Sequence, residues 1–114
     1  MINPNAYRVL ARLMLAAGLA AVSAAPGPCL AAGERGESLY LAHRCDGCHG
    51  RCGLYPTIEL YPRLGGQNAA YLYQQMRDIR DGRRDNAMSA AMRSTVSPTT
   101  DEELRAIADW LADQ

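Results

Sequence analysis

The chain has 114 residues, 48% of them hydrophobic, with 12 basic and 12 acidic side chains. That leaves room for one small domain and excludes a disordered tail or a multidomain enzyme. A charge balance near zero also argues against nucleic acid as a partner.

The first segment is set apart from the rest. Arg8 and Arg12 precede the apolar run 13–22, which is too short to span a bilayer and is followed by small residues and prolines. This is the layout of a secretory signal peptide. Small residues permit cleavage after Ala24 or, later, after Ala31 or Ala32. The later point is preferred, giving a leader over 1–31 and a domain over 32–114, exported to the periplasm. Pro28 directly before Cys29 disfavours a lipoprotein reading of that cysteine. The remaining domain of about 80 residues is of a size that usually recruits a disulfide, metal or cofactor to complete its core. Without the two leader arginines it carries ten basic and twelve acidic groups, a net charge near −2.

Residues 34–43, with Leu39, Tyr40 and Ala42, predict a short helix that delivers the chain to Cys45. Residues 50–66, rich in Gly, Pro and Tyr without a period, predict a loop. Asn68 is a suitable N-cap for a helix over 68–81 with Leu72, Met76 and Ile79 on one face, and Gly82 supplies its stop. Residues 84–97 are expected to form a connection. Thr100 and Glu103 then form a capping box ahead of a helix with an apolar stripe of Leu104, Ile107, Ala108 and Leu111. No useful period-two alternation occurs, so the expected fold is all-α, with about four short helices. Arg77, Arg80, Arg83, Arg84 and Arg93 cluster along the chain; they read as a solvated face or as a docking patch, with Asp78, Asp81 and Asp85 interleaved.

The chemistry concentrates in Cys45-Asp46-Gly47-Cys48-His49-Gly50-Arg51-Cys52. A structural zinc site would find the right atoms here, but Cys48 and His49 are sequence neighbours and no second C-x-x-C follows. Iron–sulfur spacing fails at the third cysteine, and a thioredoxin-like disulfide would need a strand before it. C-x-x-C-H is the attachment motif of c-type haem. Two thiols add across the two vinyl groups, and the next residue, His49, lies under the ring with its imidazole toward the iron. The second axial position has the candidates Met76, Met88, Met92 and His43. Met76 sits on a core face, and His43 is tethered too near the proximal side. Met88 and Met92 remain, both before the last helix.

These features, with Tyr61-Pro62-Arg63-Leu64-Gly65-Gly66-Gln67, Tyr71-Leu72, Gln75-Met76, Gly82-Arg83, Met92-Arg93 and the final helix, resemble class I c-type cytochromes. The likeness is greatest to the small periplasmic group similar to each half of the bacterial dihaem cytochromes c. The resemblance implies one covalent haem c per chain on Cys45 and Cys48, with His49 as proximal and Met92 as distal ligand. It implies that the Pro62 carbonyl accepts from His49 Nδ1, that Leu64 belongs to the haem-binding residues, and that Gly36 and Tyr40 cross Trp110 where the first and last helices meet. Cys52 departs from the family, which often has a glycine there. It is expected to be a free thiol if cleavage follows Ala31 or Ala32, whereas cleavage after Ala24 would allow a Cys29–Cys52 bridge.

The function expected is an exported single-electron carrier, not an enzyme, working between a periplasmic or membrane-bound donor and an oxidase or reductase. Membrane contact is expected only through partner complexes, and thioether–imidazole ligation favours a comparatively high potential. The alternatives are a haem-bearing subunit of a larger dehydrogenase and a haem sensor with an open sixth position.

Overall fold

The computed structural model describes residues 27–29 and 33–114. The leader expected over 1–31 therefore lies, apart from 27–29, outside the described residues. Within them the chain forms α1 (Glu34–Ala42), α2 (Asp46–His49), a 3-10 turn (Arg51–Gly53), α3 (Ala69–Arg80), α4 (Ser89–Val96) and α5 (Asp101–Ala112), and no strand. No helix among them is long and apolar enough to cross a membrane.

α5 is the axis of the fold, since α1 and α3 both pack on it. Thr100 accepts from the Glu103 N–H at 3.2 Å while the Glu103 carboxylate accepts from the Thr100 N–H at 2.9 Å, so the expected capping box closes. Asp101, Glu102 and Glu103 place negative charge at the positive end of the helix dipole. Its stripe of Leu104, Ile107, Ala108 and Leu111 is buried, together with Trp110. Each such aliphatic side chain removed from water contributes about 1.5–3 kcal/mol.

α3 begins where Asn68 accepts from the Tyr71 N–H at 3.0 Å, and it buries Leu72, Met76 and Ile79 against α5. α1 crosses α5 at the point the resemblance implies. A Cβ on Gly36 would lie 2.3 Å from the Trp110 Cβ, and the Tyr40 and Trp110 rings meet at 5.1 Å between centroids.

Two elements differ from expectation. The connection over 84–97 contains an eight-residue helix, α4, packed on α3. Its buried Ser89 and Val96, with half-buried Met92 between them, make a helical face too short and too polar to register as a period. The C-x-x-C-H motif forms α2 from its N-cap Cys45, and with α4 it brings the three helices located in the sequence to five.

The arginines of the cluster are paired within the fold. Arg80 bridges Asp81 and Asp101 at 3.0 and 2.6 Å, Arg83 bridges Asp78 and Asp81 at 2.7 and 3.0 Å, and Arg77 lies 3.6 Å from Asp101. Arg84 donates to the Gln75 side chain at 2.8 Å and Arg93 to the Ile79 carbonyl at 3.0 Å. These charges tie α3 to the start of α5 and to the segment that leads into α4.

Candidate functional site

His49 is positioned by the turn that follows it. Gly50 has φ 71°, and a Cβ there would lie 1.7 Å from the Tyr55 carbonyl oxygen, so only glycine permits this chain reversal. The reversal brings Thr57 back to donate through its N–H and its hydroxyl to the Cys48 carbonyl, at 3.0 and 3.2 Å. The Tyr40 hydroxyl donates to the Gly50 carbonyl at 2.7 Å and so fastens α1 to the same turn. Burial raises the Tyr40 pKa and keeps that hydroxyl a donor.

His49 is only 6% exposed. Its Nδ1 lies 2.8 Å from the Pro62 carbonyl, which can only accept, so Nδ1 carries the hydrogen and Nε2 keeps its lone pair. Burial holds the His49 pKa below the ordinary imidazole value, a shift partly offset by the Pro62 carbonyl. The ring is therefore neutral at pH 7, the form in which histidine ligates a metal.

The segment carrying Pro62 is itself anchored. Leu64 and Gly65 donate to the Gly53 carbonyl at 2.8 and 3.0 Å, and Gly66 donates to the Leu111 carbonyl at 2.9 Å. The 3-10 turn and the end of α5 thus hold the acceptor that orients His49. These supports were not singled out from sequence, although Gly65 and Gly66 lie in the quoted 61–67 stretch.

His49 borders a cleft of about 270 Å³. Cys45, Cys48, Pro62, Leu64, Met76, Met88 and Met92 border it too, so every haem-site residue expected from sequence converges here. Leu60, Tyr61, Tyr71, Leu72 and Ile79 add apolar walls, and Arg84 and Gln75, hydrogen-bonded to each other, line it too. The two methionines are not equivalent. Met92 is partly buried against the core and also borders a small inner void beside His49, whereas Met88 is 41% exposed. His43 borders only the inner void, with its ring 4.0 Å from the Glu103 carboxylate.

Cys45 is half-buried and Cys48 exposed, and both are free thiols. Burial, with the Asp46 carboxylate beside it, pushes the Cys45 thiol up to about 11, so it rests protonated. Cys52 is not a free thiol. It is bonded to Cys29, with 5.6 Å between the two Cα atoms, the pairing expected where Cys29 is retained. The bond also removes Cys52 from any zinc ligand set, and no three His, Cys, Asp or Glu side chains among the described residues converge on a metal position.

The residues present fit a covalent haem. Two free thiols, a neutral imidazole with an unshared Nε2 lone pair and a thioether meet at one cleft walled mainly by apolar side chains. Neither a zinc ion nor an iron–sulfur cluster accounts for all four.

Comparison with known proteins points the same way. The profile of the family described as "Cytochrome C oxidase, cbb3-type, subunit III" matches residues 31–111. Cytochrome c4 of Azotobacter vinelandii is 35% identical over 86 residues, 68% of this chain and 41% of that protein. Cytochrome c-554(548) of Halomonas halodenitrificans is 36% identical over 70 residues, 61% of this chain and 83% of that one. The "thiosulfate dehydrogenase electron acceptor" of Thiomonas intermedia is 36% identical over 97 residues, 79% of this chain and 44% of its own length. The crystal structure of reduced cytochrome c4 from Pseudomonas stutzeri superposes with a TM-score of 0.61 at 28% identity, over 71% of this chain and 47% of that one. The chain thus spans less than half the length of the cytochromes c4 and most of the length of the smaller cytochrome. With the cleft, the helices and the profile in agreement, the chain belongs to this family of c-type cytochromes, proteins that bind haem c covalently and transfer electrons rather than transform a substrate.

Proposed function

We propose that this protein is an exported single-haem carrier of single electrons, working in the periplasm between redox proteins. Cys45 and Cys48 hold the haem as thioethers, His49 is its proximal ligand and Met92 its distal one. Pro62 orients the His49 ring, and Leu64 packs at the cofactor. The observation that carries this reading is the Nδ1–Pro62 hydrogen bond, which leaves His49 Nε2 unshared in a cleft that Met92, Cys45 and Cys48 also line. Haem supplies the reversible one-electron couple. The polypeptide excludes water from it, fixes the tautomer of His49 and raises that ligand's basicity through the carbonyl.

A second reading, in which the chain is the haem-bearing acceptor of a dehydrogenase, draws support from relatives whose names say that they accept electrons from thiosulfate dehydrogenase. Both readings share one first test. After expression in a host that matures c-type cytochromes, haem should remain with the polypeptide through acid–acetone extraction and denaturing electrophoresis, at one haem per chain. A colourless product would sink both. Reduction of the purified protein by a dehydrogenase in the absence of any other carrier would favour the second.

A further inference from the structure

Three thiols lie within eight residues at the haem-attachment motif, and the haem takes two. We propose that the mature protein begins at Ala25, retains Cys29, and uses the Cys29–Cys52 disulfide to keep Cys52 out of the attachment chemistry. The inference rests on the assignment of Cys45 and Cys48 as the haem thioethers.

Several observations converge on this. The structure pairs Cys52 with the distant Cys29, 23 residues away, and leaves the adjacent Cys45 and Cys48 unpaired. Chain statistics favour the opposite outcome, because a short loop costs less entropy to close and Cys48 stands only four residues from Cys52. With Cys29 removed along with a leader ending at 31, Cys52 would face two neighbouring thiols and no other partner. Each local pairing would consume a thiol that the haem needs.

The backbone at Cys52 carries a second mark. Its φ is 55°, in the left-handed region that glycine occupies without strain, and its side chain is buried in the core. A cysteine placed there is conformationally disfavoured, and the cross-link to Cys29 gives it a role that glycine lacks. Cys52 also adjoins Gly53, whose carbonyl holds the loop that bears Pro62. The disulfide thus anchors residues 27–29 beside the turn that organises the proximal side of the site.

The chemistry balances without touching the other pair. The Cys29 and Cys52 thiols give up two protons and two electrons to a disulfide-bearing thiol oxidoreductase of the exporting compartment, through a mixed disulfide that the second thiolate displaces. Cys45 and Cys48 remain thiols.

The test uses the full chain with its leader, expressed in a host competent in cytochrome c maturation. Intact mass and alkylation of the purified holoprotein should give an N-terminus at Ala25, no alkylated cysteine without reductant and two after reduction. A mature chain beginning at 32 or 33 with one thiol open to alkylation would overturn the proposal. Peptide mass mapping of the haem-bearing fragment reports separately whether Cys45 and Cys48 carry the haem, so failure of that assignment is distinguishable. In Cys29→Ser the yield of holoprotein should fall several-fold, with local disulfides of Cys52 in the haem-free fraction. Adding Cys52→Gly, which removes the competing thiol and relaxes the backbone, should restore it. An undiminished yield in Cys29→Ser, or a double variant no better than the single one, would refute the protective role.

Discussion

Gly36 and Trp110 touch backbone to side chain where α1 crosses α5. A Cβ added to Gly36 would lie 2.3 Å from the Trp110 Cβ and 2.5 Å from the Ala106 carbonyl oxygen. Neither contact can be relieved at the far end of a flexible side chain, so the helices must move apart. Gly36→Ala gains up to about 1 kcal/mol in helix propensity but overpacks the crossing, which typically costs about 1–3 kcal/mol. The expected result is a net loss of stability, read as a lower midpoint in guanidinium with an unchanged slope. A variant as stable as the parent would show that the two helices can separate freely.

The ion pairs between α3 and α5 make acid stability testable. Arg83 holds the Asp78 carboxyl below its usual range, and Arg80 does the same for Asp81 and Asp101. Groups depressed in the folded state contribute stability above their unfolded pKa of about 4, and that contribution is lost as pH falls through the folded value. Stability should therefore decline as pH falls from about 5 toward 2, and Arg80→Ala should make the decline shallower. Because these carboxyls are open to solvent, about 1 M salt should largely erase the difference, the Debye length there being about 3 Å. Equal slopes for parent and variant at low salt would show that the pairs contribute nothing.

Much of this was legible in the sequence where a short-range rule coincided with tertiary packing. Leu72, Met76 and Ile79 form the buried face of α3 because their spacing returns to one side of a helix, and Thr100 with Glu103 closes a box that needs only four residues. The convergence of Cys45, Cys48, His49, Pro62, Leu64 and Met92 on one cleft follows from motif and resemblance together. α4 was hidden because eight residues rich in Ser, Thr and Ala carry little periodic signal, and its packing on α3 supplies what propensity does not. The arginine cluster reads equally as a solvated face or a docking patch because sequence displays charges without their partners, and Asp101, a main partner, lies 21 residues beyond Arg80. For Cys52 the sequence leaves two outcomes, a free thiol or a bridge to Cys29, because its partner depends on how much of the leader is kept, which no local pattern fixes.

The cross-link also has a stability consequence, separate from any role in haem attachment. Closing a loop with a sequence separation of 23 residues removes denatured-state entropy equivalent to roughly 3 kcal/mol in the chain-entropy account. The Cys29→Ser/Cys52→Gly variant should lose less than this, since glycine relieves the left-handed strain at Cys52, which is on the order of 1 kcal/mol. Denaturant unfolding of the holoproteins measures the difference. A double variant more stable than the parent would mean that the bridge strains the native fold by more than it restricts the unfolded chain.

Met92 and Met88 offer the sharpest test of the ligand assignment. They stand four residues apart, both border the cleft, and the Met92 N–H donates to the Met88 carbonyl at 3.2 Å, so either thioether borders the space a haem would fill. Burial separates them: Met92 packs on the core beside the inner void that His49 also borders, while Met88 sits at the exposed rim at the N-cap of α4. A ligand must displace water and hold its place through both oxidation states, which favours the methionine backed by the core. The ferric protein should show the weak far-red sulfur-to-iron band, and the ferrous protein should resist carbon monoxide at neutral pH. Met92→Ala should abolish the band, open the iron to carbon monoxide and lower the potential by on the order of 0.1 V, a fraction of the ~0.8 V range that axial ligands command. Met88→Ala should keep all three properties. Loss of the band in Met88→Ala alone would exchange the two roles, and a parent protein that lacks the band and binds carbon monoxide readily would replace the electron carrier with a haem sensor.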